Sequence, residues 1–236
     1  MAERWYPHKV LSELDTMEAV IGGLSIARYG DGEFNLVRGG NCVSQRAAPG
    51  IREELTSILN SKDNRCIVGI PRLDPRSPKY ANWSKCCAHY GAYLNPKKYY
   101  GSAFITRPDS APWIATDEYF EMIQSLWTGK DITMVYGSQR SLSKEFPALS
   151  TAKSITVVET DYAHTYHRIL ELEAATVLQG NKVVLLMCGP TATCLAYRLA
   201  VQGFHAIDLG HIGMWWMAHK NPKLIGQLKY DANAHP

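Results

Sequence analysis

Two acidic residues with a single glycine between them, Asp31 and Glu33, stand in the run Ser25 to Phe34 (SIARYGDGEF), where an apolar stretch gives way to Gly30 and Gly32. In extended backbone, residues i and i+2 project to the same side. Two carboxylates so placed, with no bulky neighbour, suit a hard divalent cation such as Mg2+ or Mn2+. The alternative is a tight turn, because Asp-Gly is a common turn dipeptide. Spacing alone favours the turn.

Three further segments carry chemistry. In Lys182 to Leu199 a buried strand ends at Cys188, and Gly189 and Pro190 lead into a helix with Thr191 or Thr193 near its first turn. A helix N-terminus after a strand offers free N–H groups and a positive dipole end, a site that fits a diphosphate. A capped helix with no ligand accounts for the segment equally well. It is neither a Walker loop nor a G-x-G-x-x-G turn. In His205 to Lys220, another strand ends in Asp208, Gly210 and His211. A histidine there can ligate a metal, act as a base or sit in the core. In Phe104 to Pro108, Arg107 at a strand end can hold a phosphate bidentately or pair internally with a carboxylate.

The elements that must position these groups follow from periodicity. Strands are predicted at Leu24–Tyr29, Cys66–Ile70, Ala103–Thr106, Ile132–Tyr136, Ser154–Val158, Lys182–Met187 and Ala206–Leu209. Helices are predicted at Pro49–Leu59, Pro112–Trp127, Asp161–Leu178 and Thr191–Val201. Alternation at these lengths means βαβ units and a mostly parallel sheet flanked by helices, an α/β architecture. One domain over 1–236 is expected, with a helical or loop insertion at 71–101.

Composition narrows the class. With 236 residues, 46% hydrophobic and 20% charged, the chain can bury a full core and is neither disordered, collagen-like nor coiled coil. No apolar run reaches the roughly 20 residues of a membrane helix, and the charged N-terminus does not read as a signal peptide. Six cysteines without C-x-x-C spacing suggest a thiol-bearing cytoplasmic protein. The net charge is +3, but seven Lys/Arg lie between Arg65 and Lys98 against one acid, Asp74. Tyr80, Trp83, Tyr90 and Tyr93 interleave with them. Such a stretch can hold an anionic or stacking partner; a solvated helix face with core aromatics is the plainer reading.

Taken together, RYGDGEF, SAFITRP, SLWTGKDITMVYG and CGPTATCLAYRLAVQGFHAIDLGH, in this order, resemble the GT-D glycosyltransferases, once known only as a domain of unknown function. The resemblance runs from about Leu24 to about His211. It implies a Rossmann-like fold, a nucleotide-sugar donor, often UDP-glucose, and a divalent metal. The family's D-x-E motif matches Asp31-Gly32-Glu33, so by carry-over these carboxylates serve a Mn2+ or Mg2+ that bridges the donor diphosphate, with His211 as a further candidate ligand. Gly30, Gly189, Pro190, Thr191 and Thr193 would line the donor, and Arg28 and Arg107 would add charge toward phosphate. The chain departs from the family pattern at Gly213 to Met217 and at Ser138 to Ser143.

The resemblance implies transfer of a sugar to a hydroxyl, which requires a base; Asp208, His211 and Asp161 are the candidates. The usual acceptor is a glycan. A hydroxylated base in DNA is the alternative, motivated by the basic stretch from Arg65 to Lys98; Arg72, Arg76, Lys79, Lys85, Trp215 and Trp216 are the candidate acceptor contacts. A nucleotide-binding module without catalysis is a third reading, and a homo-oligomer is compatible with each.

Overall fold

The structure is a computed structural model that describes residues 9–42, 45–137, 147–160 and 165–224. Seven strands form one sheet among the described residues: β1 (Ser25–Arg28), β2 (Cys66–Ile70), β3 (Gly101–Ser102), β4 (Asp131–Gly137), β5 (Ser154–Thr160), β6 (Val183–Met187) and β7 (His205–Asp208). Their order is β3-β2-β1-β7-β6-β4-β5, and every pairing is parallel. The helices are α1 (Glu13–Ile21), α2 (Asp31–Val37), α3 (Ile51–Asn60), α4 (Tyr80–Tyr90), α5 (Asp117–Ser125), α6 (Ile169–Leu178), α7 (Pro190–Val201) and α8 (Ile212–Lys220). The expected α/β class is what is found.

β6 reads VVLLM and is buried at every position, the continuous apolar pattern of a strand covered on both faces. One apolar layer joins α2, α3, α6 and α7 to the sheet through Phe34, Leu55, Leu172 and Leu195. The other joins α1 and α5 to the opposite face through Met17, Phe120 and Ile123, with Trp127 just beyond α5. Each such side chain contributes roughly 1.5–3 kcal/mol by leaving water. α4 feeds both layers: Trp83 enters the second, Cys87 and Tyr90 the first.

Several expected boundaries change. Ala103–Thr106 is a 3-10 turn, and the strand is the two residues before it, because the Ser102 hydroxyl accepts the Phe104 N–H at 3.1 Å and bends the chain. Pro112–Trp127 divides into a 3-10 turn at Pro112–Ile114 and α5, which Thr116 caps by accepting the Tyr119 N–H at 3.2 Å. Asp161 lies outside the described residues; from Thr165 a 3-10 turn leads into α6. α1, α2 and α8 are additional to the sequence reading. Among the described residues, no helix is long and apolar enough to cross a membrane.

Because all strands run one way, their carboxyl ends share one edge. The strand order turns about β1, with β2 and β3 on one side and β7, β6, β4 and β5 on the other. The crevice at such a switch point is where open α/β sheets bind ligands.

Candidate active site

The floor of this crevice is an ion pair. Arg28, the last residue of β1, is 8% exposed; its Nη2 lies 3.2 Å from Asp208 Oδ1 at the end of β7. Nη1 donates to the Ala103 carbonyl at 3.0 Å and to the Thr106 hydroxyl, so one guanidinium ties β1, β7 and the turn after β3. Asp208 also accepts the Gly210 N–H at 3.0 Å and the Arg28 N–H at 3.4 Å. Burial pushes the Asp208 carboxyl up, and Arg28 pulls it back. Gly210 has φ +53°, and a Cβ there would overlap Arg28 Nη2. A side chain at this turn is therefore excluded twice, by backbone conformation and by space.

Asp31 and Glu33 do not lie in extended backbone. They open α2, where residues two apart point some 200° apart around the axis. The expectation that they share one side by strand geometry is thus corrected, and so is the tight-turn alternative. Glu33 folds back: its Oε2 accepts the Gly30 N–H at 2.6 Å, closing the helix start. Burial pushes its carboxyl up to about 7; the Gly30 amide opposes this, and the charges of Asp208 and Asp31 add to it. Asp31 is exposed and makes no hydrogen bond among the described residues.

Gly32 brings this turn against a second helix start. A Cβ on Gly32 would stand 2.7 Å from Cys42 Sγ and 3.8 Å from Pro190 Cγ. Pro190 is the first residue of α7, entered from Gly189 at φ +62°, ψ −150°, a conformation open essentially to glycine alone. Proline at this position gives up an N–H that has no intrahelical acceptor. The Thr191 N–H, next in line, has none either. The threonine side chains do not face solvent: Thr191 and Thr193 are fully buried, donating to Gln45 Oε1 at 2.9 Å and to the Arg28 carbonyl at 2.8 Å. What α7 offers at the crevice is its backbone and dipole.

Arg107 follows the turn after β3 and is paired with Asp109 at 2.8 Å. Burial pulls its pKa down, but Asp109, Asp31 and Glu33 together hold it above its ordinary value. Its charge thus lies within the field of the D-x-E pair. His211 is exposed and caps the start of α8, three residues beyond the end of β7. Among the described residues no three His, Cys, Asp or Glu gather as a metal-holding set, so His211 is not assembled with Asp31 and Glu33.

The basic stretch is engaged within the fold. Arg72 pairs with Glu13 at 3.0 Å and Asp74 at 3.5 Å, Arg76 with Asp74 at 2.6 Å, and Lys79 with Asp109. Lys85 is exposed. Trp215 is buried beside Met214 and Met217, and Trp216 meets Phe120 edge-on at 5.1 Å. Gln45, fully buried against Thr191, was not among the expected residues. A lone glutamine in a loop gives no periodic or motif signal.

A family model described as "Glycosyltransferase GT-D fold" matches residues 26–233. The chain is 28% identical over 227 residues to "Probable glycosyl transferase Gly" of Streptococcus gordonii, covering 89% of this chain and 33% of that protein. It is 28% identical over 204 residues to "Glycosyltransferase GlyD" of Streptococcus pneumoniae, covering 80% of this chain and 25% of that protein. It therefore spans a third or less of the curated relatives it matches. A solved structure described as "The highly conserved domain of unknown function 1792 has a distinct glycosyltransferase fold" superposes with a TM-score of 0.83 at 28% identity, over 93% of this chain and 84% of that one. Another, "A New Glycosyltransferase (DUF1792) from Streptococcus sanguinis", gives 0.79 at 28%, over 90% and 84%.

Proposed function

Because this chain belongs to the family of glycosyltransferases with the GT-D fold, we propose that it transfers a glycosyl group from a nucleotide-sugar donor, a UDP-sugar, to a hydroxyl of a glycan. The observation that carries the reading is the meeting of Gly32 with Pro190, which sets the D-x-E turn beside the start of α7. Carboxylates for a cation and a helix dipole for phosphate thus adjoin at the switch-point crevice.

The donor chemistry of the site fits Mg2+ or Mn2+, which is commonly held by one or two carboxylates and completes its shell with substrate phosphates and water. Asp31, exposed at the start of α2, would hold the ion, and Glu33 would reach it by giving up the Gly30 amide. When bound, the ion supplies positive charge to the departing diphosphate. The Thr191 amide and the α7 dipole hold phosphate oxygens, and Arg107, within the field of Asp31 and Glu33, adds positive charge. In the transfer, the bond from the anomeric carbon to the β-phosphate oxygen breaks with its electron pair leaving on the UDP. A new bond to the acceptor oxygen forms, and the acceptor proton passes to a base. His211, exposed at the start of α8, takes that role rather than Asp208, which is buried and bonded to Arg28.

A neutral glycan suits the surface better than DNA, because three of the four cations proposed for phosphate contact are neutralised by Glu13, Asp74 and Asp109. A thermal-shift screen of nucleotide sugars with and without Mn2+, followed by assay of donor hydrolysis, tests the reading. Metal-dependent stabilisation by a UDP-sugar with slow release of UDP is expected. No response to any nucleotide sugar overturns it.

A further inference from the structure

The loop between α2 and α3 places Gln45 against the start of α7 with no exposed surface. Its Oε1 accepts two hydrogen bonds, from the Thr191 hydroxyl at 2.9 Å and from the Tyr166 N–H at 3.3 Å. Its Nε2 donates to the Arg46 carbonyl at 2.9 Å. A single side-chain amide thus joins three segments remote in sequence: the loop after α2, the turn before α6, and α7. Tyr166 extends the connection. Its hydroxyl donates to Glu54 Oε2 at 2.6 Å, and Glu54 pairs with Arg198 at 2.6 Å, which reaches Glu173 at 3.0 Å. α7 is therefore fixed at Thr191 by Gln45 and two turns later at Arg198 by the two glutamates.

We infer that Gln45 is a positioning residue for the donor phosphate: by taking the Thr191 hydroxyl it sets the first turn of α7 so that its backbone amides, and not that hydroxyl, meet the diphosphate. This rests on the donor reading above. The physical reason is directional. The Thr191 hydroxyl has one proton to donate. With that proton on Gln45, the first turn is held from behind, and its free N–H groups keep their direction at no cost in ordering when the ligand arrives.

The test compares Gln45→Met, Thr191→Val and the double variant with the native chain, using UDP with Mn2+ as the probe in calorimetry. Each single change removes the same bond from one side while keeping approximate volume. Each is expected to weaken UDP binding by on the order of tenfold, and the double variant to be no worse than the weaker single. If the hydroxyl binds phosphate directly, Gln45→Met frees it and UDP affinity holds or rises while Thr191→Val alone loses affinity. That result overturns the inference, as do two singles that bind like the native chain. If the native chain binds no UDP, the donor reading fails, and amide hydrogen exchange at Thr191–Thr193 in the ligand-free protein then decides the positioning role. Faster exchange in both singles, with the exchange of β6 unchanged, supports it; unchanged exchange overturns it.

Discussion

Arg28 and Asp208 bond at 3.2 Å across the join between β1 and β7, with side chains 9% and 7% exposed. The strand ladder itself registers a single residue pair there, Ile26 with Ile207. The ion pair therefore holds together the two strands between which the crevice opens. Removing one member of a buried pair leaves the other without its counter-charge, which costs about 3–5 kcal/mol. Arg28→Met is expected to lower the unfolding free energy by about 3 kcal/mol, read from urea denaturation; an unshifted midpoint would refute the clasp.

Gly210→Ala tests the same clasp from its other side. The added methyl would overlap Arg28 Nη2 at a backbone φ of +53°. Gly203→Ala is the control, since it has φ +84° but open space around its Cβ. The control carries only the backbone cost, about 1 kcal/mol. Gly210→Ala should lose clearly more, and equal melting temperatures for the two variants would show that Arg28 moves aside freely.

Asp31→Asn and Glu33→Gln should keep the fold. Asp31 is exposed, and a glutamine at position 33 can still accept the Gly30 N–H. Both should abolish the Mn2+-dependent part of UDP binding, because an amide oxygen is a poor replacement for an anionic ligand. Calorimetry with and without the metal reads this, and native-like binding by both variants would move the metal elsewhere.

Duplex DNA should bind weakly, in the nonspecific range of about 10⁻⁴ to 10⁻⁶ M at physiological salt. Arg76 and Lys79 already face Asp74 and Asp109. Neutralising Arg76, Lys79 and Lys85 together is expected to leave the slope of its salt dependence nearly unchanged, where three lost phosphate contacts would reduce that slope by about 2.7. A steep native slope that these changes abolish would restore DNA as the acceptor.

Asp109 sets part of the acid limit. Burial raises its carboxyl, but Arg107 and Lys79 outweigh that and hold it at about 2, below its ordinary 3.8. A carboxylate depressed in the folded state stabilises above its unfolded pKa and loses that contribution as pH falls through the folded value. About 2 kcal/mol should disappear between roughly pH 4 and pH 2. Stability against pH for Asp109→Asn should lack that limb; a curve parallel to the native one would place the acid sensitivity elsewhere.

The sequence by itself carried the architecture. Cys66–Ile70 and the apolar core of β6 are legible because strands covered on both faces must be apolar throughout, and no partner is needed to see it. It also singled out Asp31 and Glu33, carboxylates set between glycines, and Gly189 and Pro190, a glycine-proline pair at a strand end, because glycine and proline punctuate any chain. Tertiary structure decided how those groups face one another. Asp31 and Glu33 read as a strand end or a turn locally. They open a helix because Glu33 closes on the Gly30 amide and because Gly32 fits beneath Cys42 and Pro190, partners 10 and 158 residues away in sequence. The basic run at Arg72 to Lys79 reads as a charged surface until Glu13 and Asp109, which local spacing does not connect to it, arrive at their guanidinium and ammonium groups. Gln45 was silent for the same reason. A hydrogen bond spanning 146 residues to Thr191 leaves no trace in periodicity, since periodicity records only which face of an element is buried and not which polar atom it meets there.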